Sequence, residues 1–315
     1  MVAIFSSVIT CLAALLLLWP THIHAARWKG FSMGANHAET GACKTQADWE
    51  ADFRTIVGWG KGFNAVRLYA SSDCNTLANA VPAARNTKIK ILVGVWATDG
   101  GHFGAEKAAL LAALQTYGSG WIAAISVGSE DLYRSYNQKF EITPQQLANQ
   151  IYDVRGMVDQ WTQQNSQPKI QVGHTDTWTA WVDGRTDVVT RACDFVVTNG
   201  FPYWQGTKIE DAISYNVYQN SLWSTQAHVA AVKPGIKVWI GETGWPTQGK
   251  NFGAATTGRW NLERYYNRIG CWLNGKSDTN YFWFTAFDAL KASDPVEQSF
   301  GIAYYNRKLK FTLKC

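Results

Sequence analysis

Apolar residues gather along this chain in short dense runs, separated by longer stretches in which they recur with helical spacing. The runs at 30–35, 63–70, 89–96, 122–127, 170–174, 195–198, 237–241 and 281–287 are rich in β-branched and aromatic residues and read as strands. The intervening spacing predicts helices at 48–57, 76–84, 103–117, 143–163, 186–191, 209–232 and 257–273. Thr143 followed by Pro144 offers an N-cap and a first helical residue that needs no N–H. Eight strands separated by helices predict an α/β fold, a (β/α)8 TIM barrel in a single domain. The stretch 301–313 looks extended, so the last outer helix is expected to be short or missing. An open doubly wound sheet is the alternative. It fits less well, because no G-x-G-x-x-G follows the first strand.

The first residues do not belong to this pattern. Residues 8–19 are almost wholly apolar, Pro20 follows, and Ala25 and Ala26 offer a small-residue cleavage site. That is the layout of a secretory signal peptide at 1–25, leaving 26–315 as the folded domain. The run is short for a bilayer span, which disfavours a membrane anchor. No later run is long and apolar enough to cross a membrane, and 311–315 is not an apolar tail. No Asn-X-Ser/Thr sequon occurs. The expected location is therefore extracellular or in a cell wall.

Export changes the meaning of the cysteines. Cys11 leaves with the signal, and Cys43, Cys74, Cys193, Cys271 and Cys315 remain to oxidise where geometry permits. Cys43 and Cys74 both lie just after early strands, in loops on one face, and are expected to pair. Cys271 with Cys315 is the second expected bridge. An odd number leaves at least one thiol free or paired outside the chain. No CxxC pair and no HExxH occurs, so neither a metal nor a cofactor is expected. The net charge of +5 comes from dispersed Lys and Arg, without the basic stripe that nucleic acid would require. Sixteen tryptophans are many. Most belong in a core, but flat rings at loop edges also suit the apolar faces of sugars.

One motif is a decoy. Residues 270–277 match G-x-x-x-x-G-K-[ST]. A phosphate loop needs a strand before it and a helix after it, and here the order is reversed. Asn274-Gly275 reads as a helix end and a turn.

In a barrel of this kind the chemistry sits at the C-terminal ends of the strands. The fourth strand ends Val127-Gly128-Ser129-Glu130 and the seventh ends Ile240-Gly241-Glu242-Thr243-Gly244-Trp245-Pro246. Each places one carboxylate directly after an apolar run, on facing sides of the barrel mouth. Glycoside hydrolysis needs such a pair, about 5–5.5 Å apart when the anomeric configuration is retained. A lone strand-end Glu is more often a solvated loop carboxylate, but two at predicted strand ends point to function.

These residues carry a resemblance. The segment 239–247 closely resembles the nucleophile signature of glycoside hydrolase family 17, and Val127-Gly128-Ser129-Glu130 resembles its acid/base motif, usually Val-Gly-Asn-Glu. Asn64-Ala65-Val66-Arg67-Leu68-Tyr69 is similar to the second-strand motif and Phe201-Pro202-Tyr203 to the end of the sixth strand. The likeness covers essentially the whole mature chain and is nearest to the short fungal wall branch. It implies a retaining mechanism on β-1,3-glucan, with Glu242 as nucleophile and Glu130 as acid/base. Glu130 must then stay protonated, and burial together with the Glu242 charge would raise its pKa. Ser129 departs from the usual Asn, which in the wider clan bonds the sugar 2-hydroxyl. The shorter side chain puts the rate in question rather than the reaction type.

Other strand-end residues take supporting roles on this reading. Arg67 and Tyr69 hold Glu242 or the sugar, and Asp73 lies just beyond. Trp96, Trp178, Tyr203, Trp204 and Trp245 are candidates for sugar contact, although core packing accounts equally well for such aromatics. Thr175 and Asp176 are placed to meet hydroxyls, and Phe287 and Asp288 close the cleft at strand eight. His174 reads as a structural histidine. The partners implied are β-1,3-glucan oligo- and polysaccharides, as donor and acceptor, with no nucleic acid and no membrane after signal removal, and the chain is expected to be a monomer. Three functions compete: a glucanosyltransferase that cuts and rejoins internal bonds, an endo-β-1,3-glucanase with water as main acceptor, and a glucan-binding wall protein without activity.

Overall fold

The computed structural model describes residues 27–97, 100–137, 142–214 and 216–315, so the stretch expected to be a signal peptide lies outside the described residues. The strands are β1 (Lys29–Met33), β2 (Ala65–Leu68), β3 (Lys90–Val95), β4 (Ile122–Ser129), β5 (Val172–Thr177), β6 (Phe195–Asn199), β7 (Lys237–Glu242) and β8 (Tyr281–Trp283). Each pairs in parallel with the next, and β8 closes on β1 through Gly30 opposite Phe282. This is the expected TIM barrel.

Alternation along the strands sorts side chains into two layers. Ala65, Leu92, Ala124, Phe195, Val197, Trp239 and Phe282 fill the lower interior as one small cluster. Their neighbours Val66, Ile91, Ile125, Val196 and Ile240 join the larger cluster beneath the helices. Two residues beyond Ala65 and Val197 on the same face stand Arg67 and Asn199, at the open end of the barrel.

The outer layer is α1 (Gln46–Gly58), α2 (Thr76–Thr87), α3 (Gly100–Tyr117), α5 (Pro144–Gln164), α7 (Asp187–Ala192), α8 (Ile209–Ser214), α9 (Val217–Val232), α10 (Arg259–Tyr265) and α11 (Cys271–Gly275). Two further short helices, α4 (Asp131–Asn137) and α6 (Trp178–Trp181), sit at the mouth directly after β4 and β5. Thr143 caps α5 as expected, and a capping box with Gln146 completes the turn. The helix expected at 209–232 is two helices, with Asn216 in a left-handed conformation (φ 55°) before α9. The helix expected at 257–273 is also interrupted, by a π-helical turn at Tyr266–Gly270. That turn and α11 precede β8, so the phosphate-loop match lies in the reversed order anticipated.

Among the described residues no α-helix follows β8, as expected. The chain instead runs back over the barrel wall. Ala303 bridges Phe287, and Phe311 packs 5.5 Å from Tyr266. Disulfides join Cys43 to Cys74 and Cys271 to Cys315, the two expected pairs. Cys193 is a buried thiol, and burial pushes its pKa up to about 12, which makes it a core residue rather than a nucleophile. No helix among the described residues is long and apolar enough to cross a membrane.

Candidate active site

Glu242 is the last residue of β7, and Glu130 follows β4 directly. Their side chains line one cleft of about 590 Å³ at the C-terminal face of the barrel. The local backbone explains the placement. A register irregularity between Thr198 and Asn199 brings Glu242 opposite Asn199. On β4, Gly128 at φ 78° and Glu130 at φ 60° turn the chain sharply into α4. A Cβ on Gly128 would lie 2.2 Å from Asp131 Oδ2, so this position requires glycine twice over.

Glu242 is held from below. Arg67, almost wholly buried, donates from Nη1 to Glu242 Oε1 at 2.5 Å, and Tyr69 donates its hydroxyl to the same oxygen at 2.8 Å. Arg67 also donates from Nη2 to Ser129 Oγ at 2.8 Å, and its guanidinium lies 4.7 Å from the Tyr69 ring centre. Arg67 therefore ties Glu242 to Ser129, the residue directly before Glu130. Burial and the Glu242 charge raise the Tyr69 pKa well above its usual value, so the phenol remains a donor.

Glu130 occupies the opposite electrostatic position. Burial first, and then the Glu242 charge, push its pKa up from 4.5 to about 7, while a bond donated by Asn199 Nδ2 at 2.7 Å opposes the rise. Glu130 is thus pushed toward its protonated form beside a second carboxyl held by Arg67 and Tyr69, a pairing from which an acid and a nucleophile can be drawn.

Around them stand Tyr69, Trp96, Ser129, Trp178 and Trp204, all anticipated, which line the cleft. Arg134 lies over the Trp96 ring at 5.0 Å and fixes its plane. Other anticipated residues are elsewhere. Thr175 and Asp176 are wholly buried, Thr175 on Ser126 Oγ at 2.7 Å and Asp176 beneath α4, so neither meets a hydroxyl of a ligand in the cleft. Tyr203 and Trp245 are buried as well. They pack edge to face, and their polar ends bond the backbone carbonyls of Lys250 and Thr256. Asp73 faces His102 at 2.9 Å, outside the cleft. With Glu106 these two form the one His/Cys/Asp/Glu group of metal-ligand proximity found among the described residues. The Glu106 oxygens already accept from Ser71 N, Ser72 N, Ser72 Oγ and Trp96 N, which makes Glu106 a clamp between loops rather than a ligand.

Phe287 and Asp288 border a second cavity of about 280 Å³ that shares Tyr69, Phe284 and Glu297 with the first. Asp288 is engaged by Lys310 Nζ at 2.7 Å, so it closes the wall rather than presenting a free carboxylate.

Residues not anticipated include Asn199 and Glu297. Asn199 ends β6, and the strand-end rule would have found it had the strand been read one residue longer. Glu297 borders both cavities, and burial together with Glu242 and Asp294 raises its pKa to about 7. It follows an irregular segment that carries no period, so no sequence pattern marked it.

A closed parallel barrel with two strand-end carboxyls on one aromatic cleft defines a (β/α)8 glycoside hydrolase. The comparisons make this specific: the BtgE/BtgC glycoside hydrolase domain model matches residues 30–301, and the chain belongs to that family. It is similar to a glucan 1,3-beta-glucosidase of Schizosaccharomyces pombe, 38% identical over 90% of this chain and 86% of the relative. It is also similar to a probable glucan endo-1,3-beta-glucosidase of Aspergillus fumigatus, 39% identical over 88% of this chain and 62% of that longer protein. Among solved structures it resembles a glycoside hydrolase family 17 β-1,3-glucanosyltransferase from Rhizomucor miehei. An active-site mutant of that enzyme in complex with laminaritriose is 27% identical, with a TM-score of 0.75 over 91% of this chain and 98% of the other.

Proposed function

We propose that this protein is a retaining β-1,3-glucan-active enzyme that cleaves internal bonds and transfers the released segment to a second glucan. The observation that carries this is the pair of carboxyls on one cleft: Glu242 engaged by Arg67 and Tyr69, and Glu130 buried with its pKa pushed up to about 7. Glu242 attacks the anomeric carbon and forms a glycosyl-enzyme, while Glu130 gives its proton to the departing oxygen. An acceptor hydroxyl then gives its proton to Glu130 and displaces Glu242, so the configuration is retained. Trp96, Trp178 and Trp204 supply flat apolar faces for sugar rings. The same faces favour a sugar acceptor over water, in keeping with the transferase likeness.

The two disulfides and the apolar N-terminal run support an extracellular or cell-wall location. We place donor and acceptor glucans in the cleft of a single chain, without cofactor.

Incubation with laminari-oligosaccharides of defined length tests the reading. Products longer than the substrate are expected. Shorter products alone would leave the endo-glucanase, which uses the same covalent intermediate with water as acceptor. No change of any oligosaccharide would remove the enzymatic reading.

A further inference from the structure

His174 and Asp176 lie on β5 beneath the turn that carries Glu130, and both are wholly buried. His174 Nδ1 is 2.6 Å from the Val127 carbonyl oxygen, and Nε2 is 3.0 Å from Asp176 Oδ2. A carbonyl oxygen only accepts, so Nδ1 carries a proton. Asp176 is met by donors on both oxygens: Leu132 N–H at 2.9 Å on Oδ2, Thr177 N–H at 2.8 Å and Tyr133 N–H at 3.3 Å on Oδ1. Backbone donors on both oxygens favour the ionised carboxylate, which then requires a proton on Nε2 as well. A ring that donates from both nitrogens is an imidazolium.

We propose that the His174 imidazolium and the Asp176 carboxylate form a buried positioning pair for Glu130, fixing both the turn that carries it and the charge around it. This rests on the glycosidase reading above. Neither residue touches the cleft, so the pair acts through Glu130 and not on substrate.

The turn is held on both sides. His174 binds the strand side at the Val127 carbonyl, and Asp176 binds the helix side at Leu132 and Tyr133. Between them Ser129 N–H donates to Asp131 Oδ2 at 2.7 Å, and Glu130 N–H donates to the Thr175 carbonyl at 2.9 Å. A non-glycine residue at positive φ is strained and persists only when its surroundings over-determine it. The ion pair joins the two anchor points on either side of Glu130.

The charges also close. His174 faces Asp176 on β5, Asp131 on α4, the Trp181 ring of α6 at 5.5 Å, and the neutral Cys193 thiol before β6. Arg134 of α4 pairs with Asp131 at 3.0 Å. Two anions, Asp131 and Asp176, are thus matched by two cations, His174 and Arg134. Glu130 itself faces Glu242 on β7 and Asp176, which hold its proton on, and Arg67 on β2 and Asn199 on β6, which oppose them. Removing the His174 charge therefore leaves an unmatched negative charge near Glu130. Removing the Asp176 charge does the reverse.

The first test needs no activity. In protein labelled with 15N-histidine, with H174Q to identify the ring, both His174 nitrogens are expected to be protonated at neutral pH. An unprotonated Nε2 overturns the proposal and leaves the glycosidase reading untouched. The second test follows the alkaline limb of kcat/KM on a laminari-oligosaccharide. H174Q is expected to move that limb to higher pH and D176N to lower pH, each by about half a unit or more, with the double variant H174Q/D176N between them. Loss of kcat in both single variants with the limb unmoved, or moved in the same direction, overturns the proposal. Where a variant fails to fold, the nitrogen resonances of the wild-type protein still decide. A wild-type protein that alters no oligosaccharide refutes the glycosidase reading instead.

Discussion

At the scale of single residues, the proposed chemistry depends on Glu130 keeping its proton near neutral pH, and this has a consequence for stability. Its pKa rises from 4.5 to about 7 on folding. The folded state therefore binds this proton more tightly than the unfolded chain. The resulting stabilisation is fully present below about pH 4.5 and is lost as the pH rises through about 7. Asp131 (about 6) and Glu297 (about 7) act in the same direction. We expect E130Q, which keeps the oxygen that Asn199 binds, to be more stable than wild type at pH 8, by on the order of 2–3 kcal/mol. The difference should shrink to little at pH 4.5. Urea unfolding at a series of pH values checks this, and a gap that does not change with pH would contradict the raised pKa. The same substitution should lower turnover by about 10²–10⁴-fold. The two carboxyls can also be told apart chemically. With an activated β-glucosyl donor, azide should rescue E242A to an α-glycosyl azide and E130A to a β-glycosyl azide, because only the second variant still forms the covalent intermediate. Product anomers identified by NMR decide, and the reverse pattern would exchange the two roles.

At the scale of elements, the turn after β4 is the least forgiving piece of the site. In G128A the new Cβ would meet Asp131 Oδ2 at 2.2 Å, on a backbone at φ 78°. We expect a loss of about 2–4 kcal/mol in stability, combining strain and displacement of Asp131, and a fall in kcat larger than any change in KM. Thermal melts with steady-state kinetics measure both, and a variant with wild-type kcat would show that the turn does not set the position of Glu130. This turn also marks the boundary of what the sequence revealed. Apolar runs located all eight strands, because a strand covered by helices must be apolar on its outer face. Both carboxyls followed from the strand-end rule. The errors came from strand ends. The fifth strand was expected at 170–174, but β5 runs Val172–Thr177. That shift placed Thr175 and Asp176 in the mouth, when they lie inside the wall. Polar residues within a buried strand do not look like a strand, since their partners, the α4 backbone and Ser126, come from elsewhere in the chain. The helices α4 and α6 were missed because seven and four residues are too few to establish a period. Among aromatics, composition alone did not separate Trp178 and Trp204, which face the cleft, from Tyr203 and Trp245, which pack against each other.

At the scale of the whole molecule, the barrel must cover the gap left where an eighth outer helix would lie. The segment leading to Cys315 does this with few regular hydrogen bonds. Phe311 and Leu313 are buried, Phe311 against Tyr266, and Lys310 is buried where it donates to Asp288 Oδ1 at 2.7 Å, Thr247 Oγ1 at 2.8 Å and the Ser299 carbonyl at 3.0 Å. Through Ser299 the segment supports the turn Glu297–Ser299, and so the wall that both cavities share. A strap of this kind has no cooperative ladder of its own, so its attachment at the far end matters. The Cys271–Cys315 bridge, with a separation of 44 residues, ties it to α11. Chain entropy assigns such a loop about 4 kcal/mol, and measured effects are commonly smaller. We expect C271S/C315S to melt about 5–10 °C below wild type. Because the strap supports the Glu297 wall, activity should also be lost at a temperature below the global melt, whereas in wild type the two losses should coincide. Calorimetry alongside residual activity on laminari-oligosaccharides measures both. A variant whose melt is unchanged, or whose activity persists up to its melt, would show that packing of Phe311, Leu313 and Lys310 holds the strap without the bridge.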